Sequence, residues 1–119
     1  MIGIDIVEIQ RIENIMQYQG FLTKCFTENE REYIKAKNFA PSTVAGIFAA
    51  KESVAKALGT GFTDKIFISD IEVLHDKLER PYAVLTNGAN EKLAALGFFK
   101  VAVSISHERH YAVAMAMCT

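Results

Sequence analysis

AAKESVAKALGTG, residues 49–61, is the stretch that decides the fold, because it predicts a helix that packs on both sides. At about 100° per residue, one face of this helix is apolar and the opposite face carries only small side chains. The apolar residues are Val44, Ile47, Val54, Ala55 and Leu58, and the small ones are Gly46, Ala49, Ala50, Ser53 and Ala57. We therefore expect neighbours on both faces of the helix.

Three charged residues interrupt this helix. Glu52 and Lys56 share one narrow polar edge, whereas Lys51 projects from the middle of the apolar face. A buried ammonium group costs free energy unless it finds a partner or extends to solvent. In one interpretation Glu52 and Lys56 form an ordinary i,i+4 salt bridge and Gly59 caps the helix. In the other, the charges belong to a functional site.

The composition limits the class of protein. The chain has 119 residues, half of them hydrophobic, which predicts one domain (1–119) with a single core. Thirteen basic and fourteen acidic residues nearly balance, and no Lys/Arg block occurs, so we expect no nucleic-acid partner. The N-terminal run lacks a basic segment and a cleavage site, and no apolar stretch is long enough to span a membrane. We expect a cytoplasmic protein without a membrane partner.

The cysteines and histidines do not predict thiol or zinc chemistry. Cys25 and Cys118 are too few and too unpatterned for a disulfide framework, and we expect each to be a small buried hydrophobe. His107 and His110 lie in a predicted hairpin, and their spacing does not make a zinc site. Small residues before His107 leave room for a ligand beside that strand.

The hydrophobic periodicity predicts nine elements in the order β-α-α-α-β-β-α-β-β. They are a strand at 1–9, a helix from Ile9 to about Gly20, a helix capped by Thr27 and Glu30 that ends near Asn38, a helix from Pro41 to the GTG turn, strands at 66–75 and 81–86, a helix capped by Asn87 that stops at Gly97, and strands at 98–106 and 111–117. This order favours an α+β fold with a largely antiparallel sheet.

Asp5 and Glu52 are candidate metal ligands. Asp5 lies within an Ile-rich strand, where a carboxylate either bonds nearby backbone or needs a charged partner. If the fold brings Asp5 and Glu52 together without a cation, their repulsion will raise one pKa strongly, and Mg²⁺ would remove that conflict. Mg²⁺ is typically held by one or two carboxylates, waters and phosphate oxygens. Two carboxylates with lysines nearby indicate a diphosphate site.

The turn that ends the central helix is a weaker candidate. Glycine-rich turns bring backbone N–H groups close to phosphate oxygens, so Gly59 and Gly61 are candidate phosphate contacts. The turn follows a helix rather than opening one, so it is not a P-loop.

Four segments together resemble the holo-acyl-carrier-protein synthases, the small bacterial family of 4′-phosphopantetheinyl transferases. The segments are GIDIVEI at 3–9, FAAKESVAKALGTG at 48–61, DIEV at 70–73 and SISH at 104–107. They occur in the family's order and cover essentially the whole chain.

The resemblance implies roles for five residues. Asp5 and Glu52 match the family's magnesium ligands, and Lys56 matches the lysine that meets the coenzyme A phosphates. His107 matches a histidine of the coenzyme A pocket, and Arg11 matches an arginine that docks the acidic carrier protein. The resemblance also implies a homotrimer with coenzyme A bound between subunits.

The implied reaction is magnesium-dependent transfer of 4′-phosphopantetheine from coenzyme A to a serine of an apo acyl carrier protein, releasing adenosine 3′,5′-bisphosphate. Lys56 would stabilise the leaving phosphate, and Glu52 would accept the serine proton directly or through a metal-bound water. Two alternatives remain open. One is a noncatalytic regulatory module that binds a nucleotide or a metal, and the other is a magnesium-dependent hydrolase of diphosphates.

The chain departs from the family pattern at three places. Relatives often have arginine where this chain has Ile47, so one basic contact is absent or supplied elsewhere. Arg11 is the only basic residue of the first helix, where some relatives have several. Glu79 replaces the usual glycine before the Lys/Arg-Pro of the turn.

Overall fold

Five strands and five α-helices succeed one another in the part of the chain that this computed structural model describes, residues 1–63 and 65–119. They are β1 (Ile2–Glu8), α1 (Ile9–Met16), α2 (Phe21–Cys25), α3 (Glu28–Ala36), α4 (Pro41–Ala57), β2 (Ile71–His75), β3 (Pro81–Leu85), α5 (Asn87–Ala95), β4 (Val101–His107) and β5 (Tyr111–Cys118). All strand pairs are antiparallel. The predicted α+β fold class is confirmed.

The strands form two sheets. β5 is the centre of a three-stranded sheet with the order β1-β5-β4, and β2 pairs with β3 in a separate hairpin. Asp5 of β1 lies opposite Ala114 of β5, which lies opposite Ile105 of β4. Because side chains alternate across a strand, every second residue of the larger sheet faces α4 and the others form an outer face.

The helix α4 lies across the inner face of the larger sheet. Eleven of its 17 residues are buried, which confirms the expected packing on both sides. The sheet residues beneath it are small: Ala112, Ala114 and Ala116 of β5 are at most 1% exposed. Small side chains on both elements let the helix come close to the strands, so α4 runs through both clusters of the hydrophobic core.

The region after β1 differs from the prediction. The first helix ends at Met16, because the N–H groups of Gln17 and Tyr18 turn back to carbonyls three residues earlier. Gly20 then adopts a left-handed conformation, with φ 92°, and a short helix that the periodicity did not predict, α2, begins at Phe21. The capping box at Thr27 and Glu30 is present as predicted and starts α3.

The predicted strand at 66–75 is shortened by Asp70. The Asp70 carboxylate accepts the N–H of Phe67, which closes a single 3₁₀ turn at Ile68–Asp70, so β2 begins only at Ile71. The predicted capping role of Asn87 is wrong, because its side-chain amide donates to Asp70 at 3.1 Å and Thr86 occupies the N-cap position. The next strand, β4, starts at Val101 rather than at 98. No helix among the described residues is long and apolar enough to cross a membrane.

Candidate active site

Gly3 sets the distance between β1 and α4. A Cβ atom at this position would overlap the backbone oxygen of Ser53 and would approach the backbone nitrogen of Ala57 to 2.6 Å. The strand and the helix therefore touch through their backbones, which requires a residue without a side chain. Asp5 follows on the same face of β1 and thus meets the edge of α4.

Asp5 pairs with Lys56. The Lys56 Nζ donates to the Asp5 carboxylate at 2.9 Å and to the backbone oxygen of Ile4 at 3.1 Å. The Asp5 side chain is 15% exposed, whereas that of Lys56 is 51% exposed. The interpretation in which Lys56 forms a salt bridge with Glu52 is wrong, because the lysine turns to the strand instead. The half-exposed ammonium group of Lys56 thus lies beside Asp5 at the edge of the candidate site.

Glu52 lies close to the same carboxylate. Burial raises the pKa of Glu52, and the negative charge of Asp5 raises it further, while Lys56 and Arg11 act in the opposite direction. Within residues 1–63 and 65–119, the Glu52 side chain has no ion-pair partner. The fold therefore brings the two candidate ligands close enough for the charge of Asp5 to raise the pKa of Glu52, although burial is the larger cause.

Asp5 and Glu52 suit Mg²⁺ better than a metal that needs a complete set of protein ligands. The repulsion between them is the conflict that a divalent cation relieves. Among the described residues, no three His, Cys, Asp or Glu side chains gather as a possible metal site. Mg²⁺ keeps several waters and takes other oxygens from a phosphate substrate, so two carboxylates are enough.

Lys51 is buried in an ion pair that the sequence analysis did not identify. Its Nζ donates to Glu30 at 2.6 Å, and both side chains are fully buried. Burial lowers the pKa of Lys51, and the Glu30 carboxylate opposes that shift. The signal for this pair lies in two separate observations, a lysine on an apolar helix face and a capping-box glutamate at the start of α3.

The glycines of the GTG turn use their N–H groups to end α4. Gly59 donates to the backbone oxygen of Lys56 at 2.9 Å, and Gly61 donates to that of Ala55 at 3.1 Å. Both glycines have positive φ, 82° and 62°, as glycines that follow a helix commonly do. Their N–H groups are thus already bonded, and a contact of these glycines with a phosphate stays a prediction.

The structure does not place His107 beside Asp5 in the same chain. His107 ends β4 at the sheet edge opposite β1, two residues out of step with Asp5. Two strand spacings and that offset separate their Cα atoms by about 12 Å. His107 instead lines a cavity of about 190 Å³ together with Ile47 and His75. Ile47 is 1% exposed, so its side chain belongs to the core.

Glu79 joins the wall of this cavity to α3. Its φ of 64° is left-handed, a conformation that favours glycine. Its carboxylate accepts hydrogen bonds from Tyr33 Oη at 2.6 Å and from Lys37 Nζ at 2.9 Å. The Tyr33 ring stacks on His75 with centroids 4.0 Å apart. Glu79, where relatives usually have glycine, thus links the β2–β3 turn to α3 through two hydrogen bonds.

Arg11 and Cys25 lie near the carboxylates. The charge of exposed Arg11 lowers the pKa of Glu52, which places the arginine on the same side of the molecule as the candidate site. Cys25 is only partly buried, contrary to the expectation of a buried residue, whereas Cys118 is buried as expected, and both are free thiols. Burial is the main cause of the raised pKa of the Cys25 thiol.

Comparison with known families assigns this fold and site to one class of enzymes. The family model described as the 4′-phosphopantetheinyl transferase superfamily matches residues 1–116. The chain belongs to that superfamily. Since its members are transferases, the noncatalytic regulatory module is not supported.

Individual relatives narrow the class. A holo-[acyl-carrier-protein] synthase of Clostridium tetani is 45% identical over 117 residues, which cover 98% of this chain and 92% of the relative. The structure of the Helicobacter pylori holo-[acyl-carrier-protein] synthase in complex with coenzyme A has 32% identity, a TM-score of 0.86 and complete coverage of both chains. The Bacillus anthracis synthase structure, in complex with CoA (3′,5′-ADP), has 36% identity, a TM-score of 0.81, and coverage of 98% and 93%. Within the superfamily, this chain is an enzyme of the holo-[acyl-carrier-protein] synthase type.

Proposed function

We propose that this enzyme transfers 4′-phosphopantetheine from coenzyme A to a serine hydroxyl of an apo acyl carrier protein in a magnesium-dependent reaction that releases adenosine 3′,5′-bisphosphate. The observation that carries the proposal is the approach of Asp5 to Glu52 beside the Lys56 ammonium group. Two carboxylates can hold a divalent cation, and the charge of the lysine complements that of a diphosphate. The coenzyme A complexes of the Helicobacter and Bacillus relatives support the choice of substrate.

Asp5 and Glu52 are the residues that would hold Mg²⁺. When bound, the ion supplies charge neutralisation for the diphosphate. Lys56 reaches the same place from α4, and its half-exposed ammonium group borders a cavity of about 450 Å³ with Ile4 and Ile6. The lysine can exchange its bond with Asp5 for one with a phosphate oxygen.

The serine oxygen forms a bond to the phosphorus that carries pantetheine, and the bond from this phosphorus to the oxygen of the leaving 5′-phosphate breaks. Glu52 accepts the serine proton, directly or through a water. Lys56 stabilises the charge that develops on the leaving phosphate.

We propose that a homotrimer completes the site. Ile2, Ile4, Ile6, Met115 and Met117, all on the outer face of the larger sheet, are 42–65% exposed. An exposed apolar face of this kind marks an interaction surface. Contact between copies through this face would let His107 of one subunit approach coenzyme A held by Asp5 and Lys56 of another. Arg11, exposed near Glu52, is the proposed contact for an acidic carrier protein.

Intact-protein mass spectrometry tests the transfer. Apo acyl carrier protein is incubated with the enzyme and coenzyme A, in the presence of Mg²⁺ or a chelator. We expect the carrier to gain the mass of one phosphopantetheine arm only with Mg²⁺. Glu52→Gln should abolish the gain, and Glu91→Gln, the same change at an exposed position of α5, should not.

Three other outcomes would contradict parts of the proposal. Cleavage of coenzyme A without any carrier protein would favour the diphosphate hydrolase. Near-normal turnover of Glu52→Gln would exclude Glu52 as the base. Equal transfer with the chelator would exclude the magnesium requirement.

A further inference from the structure

A fully buried ion pair involves the residue next to Glu52. Lys51 precedes Glu52 in the chain, and its Nζ contacts the Glu30 carboxylate at 2.6 Å. Neither side chain is exposed to solvent. The Lys51 Nζ also lies 5.6 Å from the centre of the Phe26 ring. None of the chemical roles assigned above uses this pair.

Glu30 connects α4 to two other parts of the fold. One carboxylate oxygen accepts both the Lys51 ammonium group and the backbone N–H of Thr27, at the start of α3. The other oxygen accepts the backbone N–H of Val73, in β2, at 2.8 Å. Lys51 is therefore attached through one carboxylate to the first turn of α3 and to the smaller sheet.

The Lys51–Glu30 pair adds a polar constraint to the rotation of α4, beside the close packing of Gly3 against Ser53. A rotation of one residue, about 100°, would remove Lys51 from Glu30 and leave two charges buried without partners. Buried polar pairs specify one arrangement among several apolar ones in other helical assemblies.

We propose that Lys51 and Glu30 are positioning residues that hold α4 at the rotation in which Glu52 and Lys56 face Asp5. Glu52 follows Lys51 by one residue and Lys56 follows it by five, so the direction of the Lys51 side chain fixes the direction of both. The expected change in kcat rests on the proposed function, whereas the expected change in Mg²⁺ affinity rests on the geometry alone.

The test uses the double variant Glu30→Gln/Lys51→Met in the full chain. The double change leaves no unpaired buried charge and keeps an acceptor for Val73, so the variant should fold. We expect its dissociation constant for Mg²⁺ alone, measured by calorimetry, to rise about 10- to 100-fold and kcat to fall by a similar factor. The KM for coenzyme A should also rise, because Lys56, the proposed phosphate contact, lies on the same helix.

The matched control is Glu32→Gln/Lys35→Met, the same pair of changes at exposed positions of α3. It should leave the melting temperature, Mg²⁺ binding and kcat unchanged. Glu30→Asp provides a second variant that keeps both charges but withdraws the carboxylate by one methylene group. It should weaken Mg²⁺ binding and lower kcat while the chain stays folded.

A folded double variant with wild-type Mg²⁺ affinity and wild-type kcat would overturn the positioning role. If the double variant does not fold, wild-type Mg²⁺ affinity and kcat of Glu30→Asp would overturn it instead. Failure of the wild-type enzyme to modify any carrier would count against the proposed function alone, because the comparison of Mg²⁺ affinities would still test the positioning.

Discussion

Charged neighbours and burial together control the protonation of Glu52. Burial has the largest effect on its pKa and raises it, and Asp5 adds to that effect. Lys56 and Arg11 lower the pKa. The Lys56 ammonium group is bonded to Asp5, so it offsets the charge of Asp5 more directly than that of Glu52. Substitutions at Asp5, Lys56 or Arg11 are thus expected to change the pKa of Glu52.

Asp5→Asn is expected to lower the pKa of Glu52 in the metal-free protein without returning it to the ordinary 4.5, because burial remains. Arg11→Gln is expected to raise the same pKa, because it removes a positive charge. An NMR titration of the Glu52 side-chain carboxyl carbon, without Mg²⁺, measures both shifts. Shifts of the same sign in the two variants would contradict this account of the site.

His75 predicts a dependence of stability on pH. Burial lowers the pKa of His75 below its usual 6.5, and within the described residues its buried Nδ1 has no hydrogen-bond partner. Glu79 and Asp76 oppose the shift, and Lys37 adds to it. Between the lowered pKa and 6.5 the unfolded chain binds more protons than the folded one. The free energy of unfolding should therefore fall as the pH drops through this window and should not depend on His75 above it.

His75→Phe should remove this part of the pH dependence, because phenylalanine can still stack on Tyr33 but does not titrate. Chemical denaturation at a series of pH values from 5 to 8, about the range in which histidine titrates, measures the slope. His110→Gln serves as the control at an exposed histidine. If His75→Phe leaves the pH dependence of the unfolding free energy unchanged and His110→Gln alters it, the assignment to His75 is wrong.

The contact between β1 and α4 depends on one glycine. Gly3→Ala would place a methyl group against the backbone of Ser53 and Ala57, and backbone atoms cannot move aside as a side chain can. The strand has to shift away from the helix, which also separates Asp5 from Glu52. This contact therefore couples the stability of the fold to the geometry of the site.

Gly3→Ala is expected to lower the free energy of unfolding by about 3 kcal/mol and to weaken Mg²⁺ binding. Gly46→Ala is the matched change, because its Cβ would meet only the Ile105 Cγ2 atom, at 3.0 Å, which is a side-chain methyl group and not backbone. Its effect on stability should be smaller. Thermal and chemical denaturation of both variants gives the comparison, and a Gly46→Ala variant as unstable as Gly3→Ala would contradict the argument.

The molecule as a whole presents an apolar sheet face that its own helices leave uncovered. The helix α4 covers the inner face of the larger sheet, and the residues that alternate with the buried ones point to the other side. Burying such a face between copies of the chain is favourable in proportion to the apolar area removed from water. Burial of this face would stabilise the proposed trimer. The trimer would also bring His107 of one subunit near Asp5 and Lys56 of another.

Met115→Lys is expected to shift the protein towards monomers and to reduce transfer strongly while the monomer remains folded. Met115 lies in the middle of the outer face, opposite Ile4 and Ser104, so a lysine there would bury a charge between copies. Leu78→Lys changes an exposed residue of the β2–β3 turn and should leave the oligomeric state unchanged. Light scattering at working concentration measures the oligomeric state of the wild type and of both variants. A wild-type monomer with full activity would contradict the shared site.

Local signals predicted much of the fold. The bounds of α4, the capping box at Thr27 and the glycine that follows α4 came from helical periodicity and end residues, which act within a few positions of the chain. The predictions failed for two different reasons. Asp70 shortens β2 through a local bond to the N–H of Phe67, three residues away, whereas its contact with Asn87, 17 residues away, lies outside any local pattern.

For the candidate site, the residues were predicted from the sequence but their partners were not. Residue chemistry and the family resemblance alone singled out Asp5, Glu52 and Lys56, because charged side chains in apolar elements cost free energy unless they are paired or bind a ligand. Only the tertiary structure decided the partners: Lys56 bonds Asp5, 51 positions away, and Lys51 bonds Glu30. An i,i+4 ion pair stabilises a helix by only about 0.2–0.5 kcal/mol, so the packing of α4 against its neighbours decides which partner each charge meets.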